Sequence, residues 1–165
     1  MSKQKEVPVP FHLAFPVKNL EATKLFYNQL LGCPVGRISD YWVDFNFYGH
    51  QISAHLDPTM TINDRMSVVD GTEVPLNHFG VVLGKVDWEL LQEKFLAAGI
   101  EFVQAPNIRH KEKVGEQGSM FIEDPSGNVL EFKYFVNGED IFKTETSSTV
   151  VEKSDDNGEA RISDY

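Results

Sequence analysis

Cysteine is almost absent from this chain, because Cys33 is the only one among 165 residues. A single thiol excludes an intramolecular disulfide and a metal site built from several cysteines, and it is typical of a reducing compartment. The sequence also has no apolar run near the roughly 20 residues of a membrane-spanning helix, and its first residues lack the apolar stretch of a signal peptide. We therefore predict a cytoplasmic protein with no membrane partner.

Basic residues are also scarce. The sequence has 15 Lys and Arg against 25 Asp and Glu, which gives a formal net charge of −10. This balance argues against nucleic acid as a partner, because nucleic acids attract surfaces rich in Lys and Arg. Much of the acidic excess lies in residues 136–165, which are rich in Ser, Thr, Asp and Glu, and we predict that this tail is disordered. Residues 1–10 form a short N-terminal extension.

The remaining residues, 11–135, contain most of the apolar side chains and are numerous enough to bury a hydrophobic core. In this region the order strand, helix, strand, hairpin occurs twice. The first occurrence covers 11–57 and the second covers 77–135, with a linker at 58–76. We predict one domain with an α+β fold, made of two βαβββ modules that arose by internal duplication.

Three potential metal ligands lie at comparable places in strand-like runs. His12 and His78 are each the second residue of the run that opens a module, and Glu131 lies between Leu130 and Phe132 in the last strand. Burying a carboxylate among apolar residues is costly unless a cation compensates its charge. Two imidazoles and a carboxylate form a ligand set that holds a divalent metal and leaves coordination positions open for a substrate. A metal-dependent enzyme is therefore the first hypothesis.

Four stretches of the sequence carry a family resemblance. The most specific is 121–132, Phe-Ile-Glu-Asp-Pro-Ser-Gly-Asn-Val-Leu-Glu-Phe, and it is accompanied by 11–17, 26–32 and 77–81. With the duplicated modules, these stretches make the chain resemble the vicinal-oxygen-chelate superfamily. That superfamily includes glyoxalase I, extradiol dioxygenases and the fosfomycin- and bleomycin-resistance proteins.

The resemblance implies a cup-shaped mixed sheet, formed by the two modules around one divalent transition metal such as Fe(II), Mn(II), Ni(II) or Zn(II). It implies that His12, His78 and Glu131 are the ligands, because they match the family's ligand positions. Such a site binds a small oxygen-bearing organic substrate, and one Lewis acid can serve several reactions there. Many members pair their modules across an interface between two chains, so the resemblance also implies a homodimer.

His55 is a candidate catalytic residue in the first module. Strand alternation places it on one face together with Gln51 and Ser53. It lies near the position where glyoxalase I has another carboxylate ligand. If this face points into the cup, His55 is a fourth ligand or an acid–base group, and otherwise it bonds to a backbone carbonyl.

Arg109, His110 and Phe121 are candidates for contact with the substrate. Arg109 and His110 begin a charged loop, 109–116, before the last hairpin, and this loop is either solvated or in contact with a substrate anion. In extradiol dioxygenases a Tyr leads into the Asp-Pro-x-Gly turn and a catalytic His shortly precedes the last hairpin. Here Phe121 takes the Tyr position and His110 lies farther upstream, so the likeness to the ring-cleaving enzymes is incomplete.

Three types of activity stay open. A ligand set of three residues is the kind used in O₂ chemistry, and for this reason we favour a dioxygenase-like oxidoreductase. A glyoxalase-type lyase or isomerase would need a fourth ligand, which His55 would have to supply. The third alternative is a metal-free protein that sequesters a ligand, as the bleomycin-resistance proteins do.

Overall fold

The computed structural model describes residues 9–62, 65–69, 72–111 and 115–142. The strands of these residues form two four-stranded sheets and one two-stranded hairpin. The longest of the described helices has 13 residues, and none of them combines the length and the apolar character needed to span a bilayer.

The first sheet belongs to the first predicted module. Its strands are β1 (His12–Val17), β2 (Val35–Ile38), β3 (Trp42–Phe47) and β4 (His50–Leu56). They lie in the order β1-β4-β3-β2, with β1 parallel to β4 and the other neighbours antiparallel. Helix α1 (Leu20–Lys24) continues as a π-helical turn (Leu25–Leu30). The helix begins at Asn19, whose side chain accepts a hydrogen bond from the N–H of Ala22 at 3.0 Å.

The second sheet repeats this arrangement after a hairpin. The hairpin consists of β5 (Met66–Val69) and β6 (Thr72–Pro75), and the sheet consists of β7 (His78–Leu83), β8 (Phe102–Arg109), β9 (Gln117–Glu123) and β10 (Val129–Phe135). Its order is β7-β10-β9-β8, with β7 parallel to β10 and the other neighbours antiparallel. Helix α2 (Lys85–Ala97) connects β7 to β8, and a 3₁₀ helix (Gly138–Phe142) follows β10. The predicted α+β fold of two βαβββ modules is confirmed.

Two segments differ from the expectation. The linker 58–76 contains the hairpin β5–β6, and in the sequence an Asp-Gly pair separates its two β-branched runs, which is a hairpin signal independent of periodicity. The loop predicted at 109–116 is wrong at its start, since Arg109 ends β8 and pairs with Gln117. The pairing of β8 with β9 has register shifts between Phe102 and Asn107, and such irregular pairing cannot be seen in the sequence pattern.

Both modules contribute to one hydrophobic core. Phe15 of β1 packs against Phe79 of β7 with ring centroids 5.2 Å apart, and Phe47 of β3 lies 6.0 Å from the same ring. Phe132 and Tyr134 of β10 are fully buried in this core. Each buried side chain of this size contributes about 1.5–3 kcal/mol to stability. The described strands pair only within their own module, so this core is the main connection between the two sheets.

A buried carboxylate adds a polar connection between the modules. Asp124, which follows β9, accepts hydrogen bonds from the backbone N–H groups of Ser126 at 2.8 Å and Asn128 at 2.9 Å. Tyr27 of the π-helical turn donates its hydroxyl to Oδ2 of Asp124 at 3.1 Å. Burial and the nearby Asp124 charge raise the pKa of Tyr27 well above its ordinary value, so the hydroxyl stays a donor. The Ser126 hydroxyl in turn accepts the backbone N–H of Lys18 at 2.9 Å.

We expect Tyr27→Phe to lower the free energy of unfolding by about 1–2 kcal/mol, because it removes one hydrogen bond to a buried carboxylate and keeps the ring in the core. Urea denaturation followed by circular dichroism measures this change. Tyr41→Phe is the matched control, since Tyr41 is 73% exposed, and we expect it to shift stability by less than about 0.5 kcal/mol. Equal stabilities of the two variants would contradict the role assigned to the Tyr27 hydroxyl.

Candidate metal centre

His78 and Glu131 meet on the face of the second sheet that points away from the shared core, which we call its open face. The strands β7 and β10 are adjacent, and their parallel register pairs Gly80 with Glu131. The Nε2 atom of His78 lies 3.3 Å from Oε2 of Glu131. The backbones of the two strands also approach closely at Gly80, where a Cβ atom would overlap the backbone carbonyl of Glu131.

The other ring nitrogen of His78 determines what Nε2 can do. Nδ1 lies 2.6 Å from the carbonyl oxygen of Pro75, and because a carbonyl can only accept, Nδ1 carries the hydrogen. Nε2 then faces a carboxylate oxygen, so two lone pairs oppose each other unless a proton or a metal ion lies between them. The hydrogen bond with Glu131 raises the pKa of His78 above its ordinary value, although burial opposes the shift. The two side chains are therefore arranged to share a cation.

A cavity of about 90 Å³ lies beside this pair. Phe121 of β9 is in register with Glu131, and its ring meets the imidazole of His78 edge-on with centroids 5.2 Å apart. Val69 and Val74 line the cavity from the hairpin, where Val74 is buried against Phe121. The polar lining residues are Asn107, Arg109, Gln117, Ser119 and Lys133.

His12 lies on the corresponding open face of the first sheet, where it is exposed. The structure does not bring it together with His78 and Glu131. Within the described ranges no group of three or more His, Cys, Asp or Glu side chains could hold a metal ion. The shared core accounts for this, because both sheets turn their apolar faces toward it and each open face lies on the opposite side of its sheet.

The first module carries different chemistry at the position equivalent to Glu131. In the first module His12 pairs with Gln51, and Ser53 lies two residues after Gln51. In the second module His78 pairs with Val129, and Glu131 lies two residues after Val129. Ser53 is therefore the internal counterpart of Glu131. Asp44, which is 5% exposed, accepts hydrogen bonds from the Ser53 hydroxyl at 2.5 Å, Arg37 Nε at 3.0 Å and Gln51 Nε2 at 3.1 Å. Burial alone would raise the pKa of Asp44, but these hydrogen bonds and the Arg37 charge lower it overall.

The other predicted site residues lie in different places. His55 is on the open face of β4, four positions beyond the residue that pairs with His12, which is about 13 Å along the strand. Its role as a fourth ligand or acid–base group stays a prediction. Arg109 and Phe121 both line the cavity. His110 follows β8 with a positive φ of 52° and is not among the residues that line the cavity.

Several residues of the cavity were not found from the sequence. They are Val69, Val74, Asn107, Gln117, Ser119 and Lys133. Alternation could have identified three of them, because Lys133 shares a strand face with Glu131, and Gln117 and Ser119 share one with Phe121. The hairpin residues could not be found in this way, since they reach the site through tertiary packing.

Two βαβββ modules with a histidine and a carboxylate on the open face of the second define the class of the protein. The sequence matches the model of the Glyoxalase/Bleomycin resistance protein/Dioxygenase superfamily over residues 10–132. The chain belongs to this superfamily, and the predicted resemblance is confirmed.

Crystal structures of other members have the same fold. The chain is similar to a glyoxalase/bleomycin resistance protein/dioxygenase from Alicyclobacillus acidocaldarius, with 28% identity, a TM-score of 0.67 and coverage of 82% of this chain and 98% of that one. A lactoylglutathione lyase from Agrobacterium tumefaciens has 16% identity, a TM-score of 0.55 and coverage of 79% and 96%. A genomically encoded fosfomycin resistance protein from Listeria monocytogenes has 15% identity, a TM-score of 0.57 and coverage of 78% and 94%. At these last two identities the likeness concerns the fold alone.

We expect Asp44→Asn to lower the free energy of unfolding at neutral pH by about 2 kcal/mol, because the ionised carboxylate accepts three hydrogen bonds in a buried site. A carboxyl whose folded pKa is lowered stabilises the protein above its ordinary pKa, and this contribution is lost as the pH falls through the folded pKa. The difference from the wild type should therefore shrink between about pH 7 and about pH 3. Urea denaturation at both pH values tests this, with the exposed Asp40→Asn as control. A difference that does not depend on pH would contradict the argument.

Proposed function

We propose that the protein is a divalent-metal-dependent enzyme that acts on a small oxygen-bearing organic substrate by dioxygenase-like chemistry. The observation that carries the proposal is the pair His78–Glu131, in which the Pro75 carbonyl fixes Nδ1 as the donor and leaves Nε2 facing a carboxylate. A carbonyl that holds the far nitrogen of a ligating histidine is a common support of metal sites in proteins. The chemistry of these donors fits a divalent transition metal.

We propose that His12 of a second copy completes the ligand set in a homodimer. Within the described part of one chain His12 is exposed and forms no metal-binding group with the His78–Glu131 pair, yet it takes the same place in its strand as His78. Apolar side chains near the second open face also stay exposed, among them Val68 of the hairpin and Val82 of β7. Exposed apolar patches of this kind are typical of interaction surfaces.

Dioxygenase-like chemistry is favoured over lyase chemistry by the first module. The internal counterpart of Glu131 is Ser53, so β4 supplies no carboxylate at that position, and the ligand set has three members. A metal held in this way would supply a Lewis acid with coordination positions open to substrate oxygens and to O₂. Phe121 supports the orientation of the His78 ring, and Val69 and Val74 give the cavity an apolar side.

We propose a cytoplasmic location on the basis of the buried thiol of Cys33. This side chain is 3% exposed, and burial raises the pKa of its thiol to about 11. A thiol of this kind is unreactive, which is compatible with a reducing compartment such as the cytoplasm.

We expect Glu131→Ala and His78→Ala to remove most of the bound metal, because each deletes one ligand of the set. Inductively coupled plasma mass spectrometry of protein purified without chelators gives both the amount and the identity of the metal. Glu93→Ala is the control, since Glu93 is an exposed carboxylate on α2. Iron or manganese supports dioxygenase-like chemistry, whereas nickel or zinc moves the proposal to the lyase. Protein that binds no metal even after reconstitution is evidence for the metal-free binding protein.

A complementation experiment tests whether two chains share the site. His12→Ala and His78→Ala chains are expected to lose the metal when each is prepared alone. In a mixed dimer, a shared site pairs the intact His12 of one chain with the intact His78 of the other, so one of the two sites is restored. We expect the co-expressed pair to regain metal, while a double variant His12→Ala/His78→Ala mixed with itself does not. If the mixture stays metal-free, the proposed sharing is wrong.

A further inference from the structure

The cavity beside His78 and Glu131 has an unusual charge for this protein. Arg109 and Lys133 both line it, and among its described lining residues Glu131 is the one carboxylate. The chain as a whole has 25 acidic residues against 15 basic ones. Two basic side chains therefore line one small cavity of an acidic protein, and basic side chains in a cavity attract an anion.

The uncharged polar groups of the cavity match the same kind of ligand. Asn107, Gln117 and Ser119 add amide and hydroxyl donors from β8 and β9, of which β9 pairs with β10 and β8 pairs with β9. Arginine presents a planar set of N–H donors that matches the two oxygens of an oxyanion. Val69 and Val74 of the hairpin line the cavity and reduce its contact with water, and a charged hydrogen bond is stronger where water is excluded.

The size of the cavity limits the ligand. Its volume of about 90 Å³ is room for on the order of half a dozen water-sized groups. The cavity is suited to a small organic acid, of which one end meets the cations and the other end lies beside His78 and Glu131.

We propose that the substrate is a small organic acid, and that Arg109 and Lys133 select it by binding its oxyanion. The inference rests on the proposed function, because it places the reacting end of the acid next to the His78–Glu131 pair. Lys133 is suited to this role, since its Nζ lies 3.5 Å from Oε1 of Glu131 and so connects the anion end of the cavity with the candidate metal centre.

Isothermal titration calorimetry with defined probes tests the proposal. The probes are oxalate, inorganic phosphate and oxamide, which is the neutral diamide of the same shape as oxalate. The full chain is titrated as purified and again after chelator treatment and dialysis, so that binding by a metal and binding by the cations are measured separately. We expect metal-free protein to bind oxalate or phosphate and not oxamide, and the tighter anion identifies a planar or a tetrahedral group.

Charge-removing variants identify the residues responsible. We expect Arg109→Gln and Lys133→Gln each to weaken anion binding about tenfold or more, since each removes a charged hydrogen-bond donor. Lys94→Gln removes the same charge from the exposed surface of α2 and should leave binding unchanged. Anion binding that survives both substitutions, or equal binding of oxalate and oxamide, would overturn the proposal. If the anion proposal fails in this way but the variants keep their metal, the proposed metal-dependent function stands. If the chain binds anions but never binds metal, the proposed function is wrong and the anion site stands.

Discussion

The alternation of side chains against one shared core is the constraint on which the rest of the structure depends. Phe15 of β1, Phe79 of β7 and Phe132 of β10 face this core. Because side chains alternate along a strand, the residues at odd spacings from each Phe in its own strand must face the other way. His12, His78 and Glu131 occupy such positions. A shift of one residue in β7 or β10 would put the His78 imidazole or the Glu131 carboxylate in the place of a phenyl ring of the core, at a cost of about several kcal/mol. The core therefore specifies the site without touching it.

The same constraint explains which part of the site a single chain can form. Parallel pairing of β7 with β10 brings His78 and Glu131 together, and it does so within one sheet. No strand pairing connects the two sheets over the described residues, and the contact between them is made by their apolar faces. His12 therefore cannot reach the pair by the route that joins His78 to Glu131. A second copy, placed with its first open face against the second open face of this chain, is the simplest way to supply it.

Much of the fold was accessible from the sequence because it follows from local pattern and repetition. The helical spacing after Val17, the alternation around Glu131 and the turn at Asp124 are local signals, and their repetition gave two modules. The hairpin β5–β6 was missed because its strands have four residues each and give a weak periodic signal, and the end of β8 at Arg109 was missed because the pairing of β8 with β9 is irregular. For the site, residue type and strand position indicated the three candidate ligands. Strand position alone, however, could not say that the shared core separates His12 from the other two.

The two modules place their carboxylates in different surroundings. In the first, the carboxylate of Asp44 receives three hydrogen bonds from its own neighbours, so its charge is satisfied within the protein. In the second, the carboxylate of Glu131 faces Nε2 of His78, a nitrogen whose hydrogen bonding is complete only when a proton or a metal ion is present. A carboxylate whose neighbours donate several hydrogen bonds stabilises a fold, whereas one that faces the lone pair of an imidazole is suited to bind a cation between the two side chains.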